Sequence, residues 1–118
     1  MKRTKTFKHT IKYSWTSETY THNLYLVADN YQADGSLAII VMEEKEDGED
    51  EQFDVITTCL PWGCADESHA YIDTNNCSWA EKMLKQHRIA KDTDIWEGSG
   101  YCTYPLYEFN LAKFYEAE

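Results

Sequence analysis

A chain of 118 residues fits one domain, 1–118, because two would each lack a stable core. Hydrophobic content of 42% excludes disorder along the whole length, and no apolar run approaches the ~18 residues of a membrane span. A formal charge of −10 opposes unaided binding to duplex phosphate, so direct nucleic-acid contact is not expected.

Phe7, His9, Ile11, Tyr13 and Trp15 alternate with Lys8, Thr10, Lys12 and Ser14. That period of two predicts an antiparallel strand with one wet face and its aromatics turned to the core. His22–Asn30 puts Leu24, Leu26 and Ala28 on one face and Tyr25 and Val27 on the other, a strand covered on both sides. Asp34-Gly35 is a reversal signal, since glycine supplies a positive φ. Leu37–Met42 is short, apolar and β-branched, and reads as a central strand. An acidic connection follows with Asp47-Gly48 at its tip. A strand resumes over 51–60 and ends before Pro61. His69–Asp73 is a further short strand.

Ser78 and Glu81 have capping-box spacing, and Trp79, Ala80, Met83, Leu84 and His87 recur at helical spacing, predicting a helix that stops near Arg88. Tyr107, Phe109 and Leu111 alternate with Glu108 and Asn110 as a last strand, which Pro105 makes late-starting or an edge. The expected fold is α+β: a single antiparallel sheet of five or six strands with one main helix packed on one face.

Charge is unevenly distributed. Residues 1–12 carry five cations and no acid, so the net from residue 13 onward is −15. Glu43, Glu44, Glu46, Asp47, Glu49, Asp50, Glu51 and Asp54 are eight carboxylates within twelve residues, opposed only by Lys45. Such a run is either a solvated turn or a surface for a basic protein, such as a nuclease or another nucleic-acid-binding defence protein. Trp96, Tyr101, Tyr104 and Tyr107 form an aromatic segment of the kind that anchors interfaces. Lys2 to Lys12 beside Tyr13 and Trp15 resembles a base-stacking strand, but the alternation turns those rings inward.

The remaining chemistry is thin. Cys59, Cys64, His69 and Cys77 are spaced loosely for zinc, with no second tight pair, so neither metal nor cofactor is expected. Cys77 near a helix start, with His69 eight residues earlier, is a generic nucleophile–base pair. No catalytic or nucleotide motif occurs, and the chain reads as a non-enzyme. Lys2 and Arg3 lead into no apolar stretch, so the expectation is a cytoplasmic chain with reduced cysteines. A homodimer through a free sheet edge stays open.

Ala33–Ile39, Tyr71–Asn76, Ser78–Glu81 and Gly98–Phe109 occur in that order. Together they resemble a family of small uncharacterised proteins carried by conjugative elements and prophages of gut bacteria, over roughly residues 24–111. The acidic connection and the Cys59–Cys64 loop depart from the shorter family pattern. The resemblance implies no activity and transfers no functional residue. Its context, with the acidity, implies a non-enzymatic inhibitor of a host nucleic-acid-targeting defence protein, of anti-CRISPR or anti-restriction type. The alternatives are an accessory protein-binding module of mobile-element maintenance or a small enzyme.

Overall fold

The computed structural model describes residues 2–13, 15–60 and 65–115. The strands are β1 (Lys2–Arg3), β2 (Phe7–Tyr13), β3 (Glu18–Asn30), β4 (Leu37–Glu43), β5 (Glu51–Val55), β6 (Thr57–Thr58), β7 (His69–Ile72), β8 (Ala90–Ser99) and β9 (Cys102–Phe109). Two short helices, α1 (Ala80–Gln86) and α2 (Ala112–Tyr115), complete the described chain. The fold is mostly β, with two antiparallel sheets, and this overturns the expected α+β layout of one sheet and one main helix.

The first sheet follows the order β1–β3–β4–β5, with β2 also on β3. Lys2 faces Ala28 and Phe7 faces Leu24, so β1 and β2 lie end to end along one flank of β3. Thr4 bridges the break: its N–H donates to the Leu26 carbonyl at 2.9 Å, and its hydroxyl accepts from the Leu26 N–H at 2.8 Å. On the other flank Leu26 faces Val41 and Ala28 faces Ile39, which makes Leu37–Met42 the central strand its composition predicts. Gly35, at φ +75°, permits the reversal between β3 and β4.

The second sheet follows the order β6–β7–β9–β8. The stretch expected as one strand over 51–60 is divided at Ile56. Its N–H donates to the Ile39 carbonyl at 3.2 Å in the first sheet, and its own carbonyl accepts from the Asp73 N–H at 2.8 Å beside the second. One backbone thus passes between sheets, a change that alternation alone cannot reveal.

β9 begins at Cys102 and lies between β7 and β8, not at an edge. Pro105 faces Trp96 of β8, while β7 pairs with β9 only from Leu106 onward. The missing N–H therefore costs no bond to β7. β8 had no sequence signal: it is an edge strand wet on both faces, rich in charge and without apolar alternation.

The core draws on both sheets. Leu24, Leu26, Ile39 and Val41 from the first meet Ile72, Tyr107 and Phe109 from the second, with Ala80, Met83 and Leu84 of α1 and Phe114 of α2. A second cluster of Leu60, Tyr71 and Leu106 covers the other face of β9. The predicted capping box is not formed: Trp79 occupies the cap position with no side-chain bond, and Glu81 instead accepts from the Tyr107 hydroxyl. Among the described residues, no helix is long and apolar enough to cross a membrane.

Candidate functional site

The acidic run forms the β4–β5 hairpin, turned by Gly48 at φ +79°. Its base is pinned from within the chain. Glu44 accepts from the Thr6 hydroxyl at 3.0 Å and lies 3.8 Å from Arg3. Asp50 accepts from the Tyr25 hydroxyl at 2.6 Å, and the Arg3 guanidinium stacks 3.6 Å above the Tyr25 ring. Lys45 bridges Glu43 at 2.9 Å and Glu51 at 3.7 Å. Asp47 accepts from the Glu49 N–H at 2.8 Å and so shapes the turn. Asp54 accepts from the Val55 N–H at 2.8 Å and faces Cys77. Among the described residues, Glu46, Asp47 and Glu49 form no ion pair.

Behind the hairpin runs a hydrogen-bonded chain. The His22 Nδ1 lies 2.7 Å from the Glu43 carboxylate, and its Nε2 lies 3.0 Å from the Tyr13 hydroxyl. With Glu43 ionised, the His22 Nδ1–H donates to it, and Nε2 is left to the Tyr13 hydroxyl. Burial opposes the charge on Glu43, but the bonds from His22 and Lys45 outweigh it and hold the carboxyl below its usual range. Burial, then the charges of Glu43 and Tyr20, raise the Tyr13 phenol. The three groups tie Tyr13 of β2 through His22 of β3 to Glu43 at the base of the hairpin.

Exposed aromatics flank this end of the sheet. Trp15 is 77% exposed and Tyr20 48%, both stacked around Tyr13 at centroid distances of 4.7 and 5.7 Å. Trp15 thus corrects the expectation that it faces the core: β2 ends at Tyr13, so the alternation does not extend to it. The aromatic segment expected to join the acidic site belongs to the β8–β9 hairpin of the second sheet. Within it, Trp96 is half-exposed and Tyr101 fully exposed at the tip, whereas Tyr104 packs on the Leu60–Tyr71–Leu106 cluster. Tyr107 is fully buried and unavailable to a partner.

The cysteine expectations resolve locally. Cys64 lies outside the described residues. The Cys59 thiol donates to Asp34 at 3.6 Å, and His69 is held between Asp66 at 2.8 Å and Glu108 at 3.3 Å. Burial, then the hydrogen bond and charge of Asp54 and the charge of Asp73, push the Cys77 thiol up to about 12, far from a reactive thiolate.

Two further histidines meet where sequence reasoning saw only spacing. His9 Nδ1 lies 3.0 Å from His87 Nε2, joining β2 to the end of α1. His9 does occupy the inward face of its strand, but its partner is 78 positions away and carries no local signal.

Comparison with known proteins adds one match. Residues 25–118 match the family described as a domain of unknown function (DUF4313). No curated protein matches the chain, and no solved structure does. The match begins inside β3, so β1 and β2, with Tyr13 and His9, precede it. Since it takes in the acidic hairpin, the second sheet and the described helices, the chain belongs to the DUF4313 family, a domain of unknown function.

Proposed function

We propose that this chain is a non-enzymatic partner-binding protein whose β4–β5 hairpin docks on a basic protein surface. One observation carries the reading: the tip presents Glu46, Asp47 and Glu49 without an ion pair among the described residues, while Glu43, Glu44, Asp50 and Glu51 are occupied in holding its base. A pinned hairpin with unpaired charges loses little freedom on binding and attracts a cationic groove at range. The finer reading follows from the sequence resemblance and the acidity: a cytoplasmic protein of mobile elements in gut bacteria that blocks a host nucleic-acid-targeting nuclease by occupying its phosphate sites.

The test is capture from host lysate, with bound proteins identified by mass spectrometry, using the wild type and a Glu46→Gln/Asp47→Asn/Glu49→Gln variant. Basic proteins should be retained by the wild type at 50 mM salt and lost by the variant. The same proteins bound equally by both would place docking elsewhere.

A further inference from the structure

The chain has 21 acids and 11 cations, so mixed charges would leave few cations unpaired. Yet among the described residues only Arg3 and Lys45 have carboxylate partners within ion-pair distance. Lys5, Lys8, Lys12, Lys82, Lys85, Arg88, Lys91 and Lys113 have none. Elsewhere the signs mix, with Glu81 beside Lys82 and Lys85, and Asp92 and Glu108 beside Lys85, Arg88 and Lys91, but one basic part of the surface is concave.

A groove of about 490 Å³ lies between β2, at the edge of the first sheet, and α1. Lys8, Thr10 and Lys12 line it from the strand, and Trp79, Lys82 and Gln86 from the helix side. A pocket of about 180 Å³ adjoins the other side of the His9–His87 pair and takes Lys5 and Lys113. Among the described residues, no carboxylate lines either one. The charged neighbours that lower His9 are His87, Lys82 and His22, acting after burial, and burial followed by Lys113 lowers His87. Every such neighbour is basic. Lysines along an edge strand commonly guard against strand pairing. That does not account for Lys82 and Lys113, which approach the same histidines from helices.

We propose that the groove between β2 and α1 binds single-stranded nucleic acid, with backbone phosphates on Lys8, Lys12 and Lys82 and a base against Trp79. Trp79 is braced by Phe53, their rings 5.4 Å apart at 67°, and its remaining surface lines the groove. A basic track beside an aromatic platform is the usual arrangement for a strand whose bases are unstacked. Lys8 and Lys12 lie roughly 13 Å apart along the extended strand, room for a short run of nucleotides. The expectation against nucleic acid rested on net charge, which averages over regions as different as the acidic hairpin and this groove. At physiological salt a charge more than about 8 Å away is largely screened, and the molecule measures 41 × 36 × 23 Å. A duplex would bring a second phosphate strand towards the acids, so the single strand is favoured.

The experiment is fluorescence anisotropy with a labelled single-stranded 20-nucleotide DNA, the same sequence as RNA, and its DNA duplex, at 50 and 200 mM salt. Three phosphate contacts predict a loss of about 20-fold over that range. Lys8→Ser/Lys12→Ser/Lys82→Ser should lose at least about tenfold at 50 mM and flatten the salt slope, and Trp79→Ala should lose about tenfold. The serine variant changes exposed side chains and keeps the fold, so it decides the matter if Trp79→Ala unfolds. Absent wild-type binding at 50 mM salt, equal binding by the serine variant, or tighter binding of the duplex would overturn the proposal. So would a sedimentation mass that rises with concentration and is abolished by the serine variant, which would assign the groove to the acidic hairpin of a second copy. The Glu46→Gln/Asp47→Asn/Glu49→Gln variant should still bind the oligonucleotide, so this reading and the docking reading fail separately.

Discussion

The Tyr107 hydroxyl donates a 2.6 Å hydrogen bond to the Glu81 carboxylate, tying the first turn of α1 to an interior strand of the second sheet. Burial, reinforced by Glu81, drives the phenol well above its ordinary value, so it remains a donor at any working pH. Tyr107→Phe keeps the ring in the core and removes only this bond. The expected loss is about 1–2 kcal/mol, because Glu81 regains water when the bond is gone. Urea melts measure it, and a loss near zero would mean that α1 is held by its apolar face alone.

Acid should weaken the fold in two separate windows. His9 and His87 both titrate below the ordinary 6.5 in the folded chain, from burial first and then neighbouring cations and imidazoles. The unfolded chain therefore binds protons that the folded chain refuses. Stability is full above about pH 6.5 and is lost as pH falls from there through the folded values. Desolvation opposes the charge on half-buried Glu43 and on exposed Asp66, but hydrogen bonds hold both carboxyls low, and their contribution disappears only below the usual carboxylate range. Urea midpoints between pH 8 and pH 5 should begin to fall near 6.5, and His87→Gln should shrink that fall. A flat profile down to pH 5 would show that the histidine pair accepts protons without penalty.

Cys77 should be inert in the native state. It is fully buried, and its thiol is pushed up to about 12. Thiol-blocking reagent at pH 7.5 should leave it unmodified until denaturant is added, with peptide mass spectrometry reporting the site. Labelling of Cys77 in the folded protein at the rate of a free thiol would show that the turn before α1 opens readily.

Much of the strand content was legible because burial on one face imposes a period of two. Phe7 to Tyr13, Leu24 to Ala28 and Leu37 to Met42 all form strands where alternation or a continuous apolar run places them. The acidic hairpin was legible as well, since Asp47-Gly48 suits its turn. Partnership was not. Nothing local shows that Ile56 serves two sheets, or that Glu81 turns from Ser78 to Tyr107. β8 escaped because a strand wet on both faces needs no apolar period. The unpaired lysines stood in plain view, but their grouping is a property of packing: Lys82 meets Lys8 and Lys12 only when α1 lies along β2.

The first sheet is made entirely of residues 2–55 in neighbouring antiparallel pairs, whereas the groups that cover its inner face come much later in the chain. Met83 and Leu84 arrive with α1, and Phe114 arrives with α2, which packs back on β1 and β3. During synthesis at roughly 5–20 residues per second, Leu24, Leu26, Ile39 and Val41 wait several seconds for their lid. A nascent chain in that interval carries these apolar groups without their cover, and the ribosome-bound protein is the form that chaperones would meet.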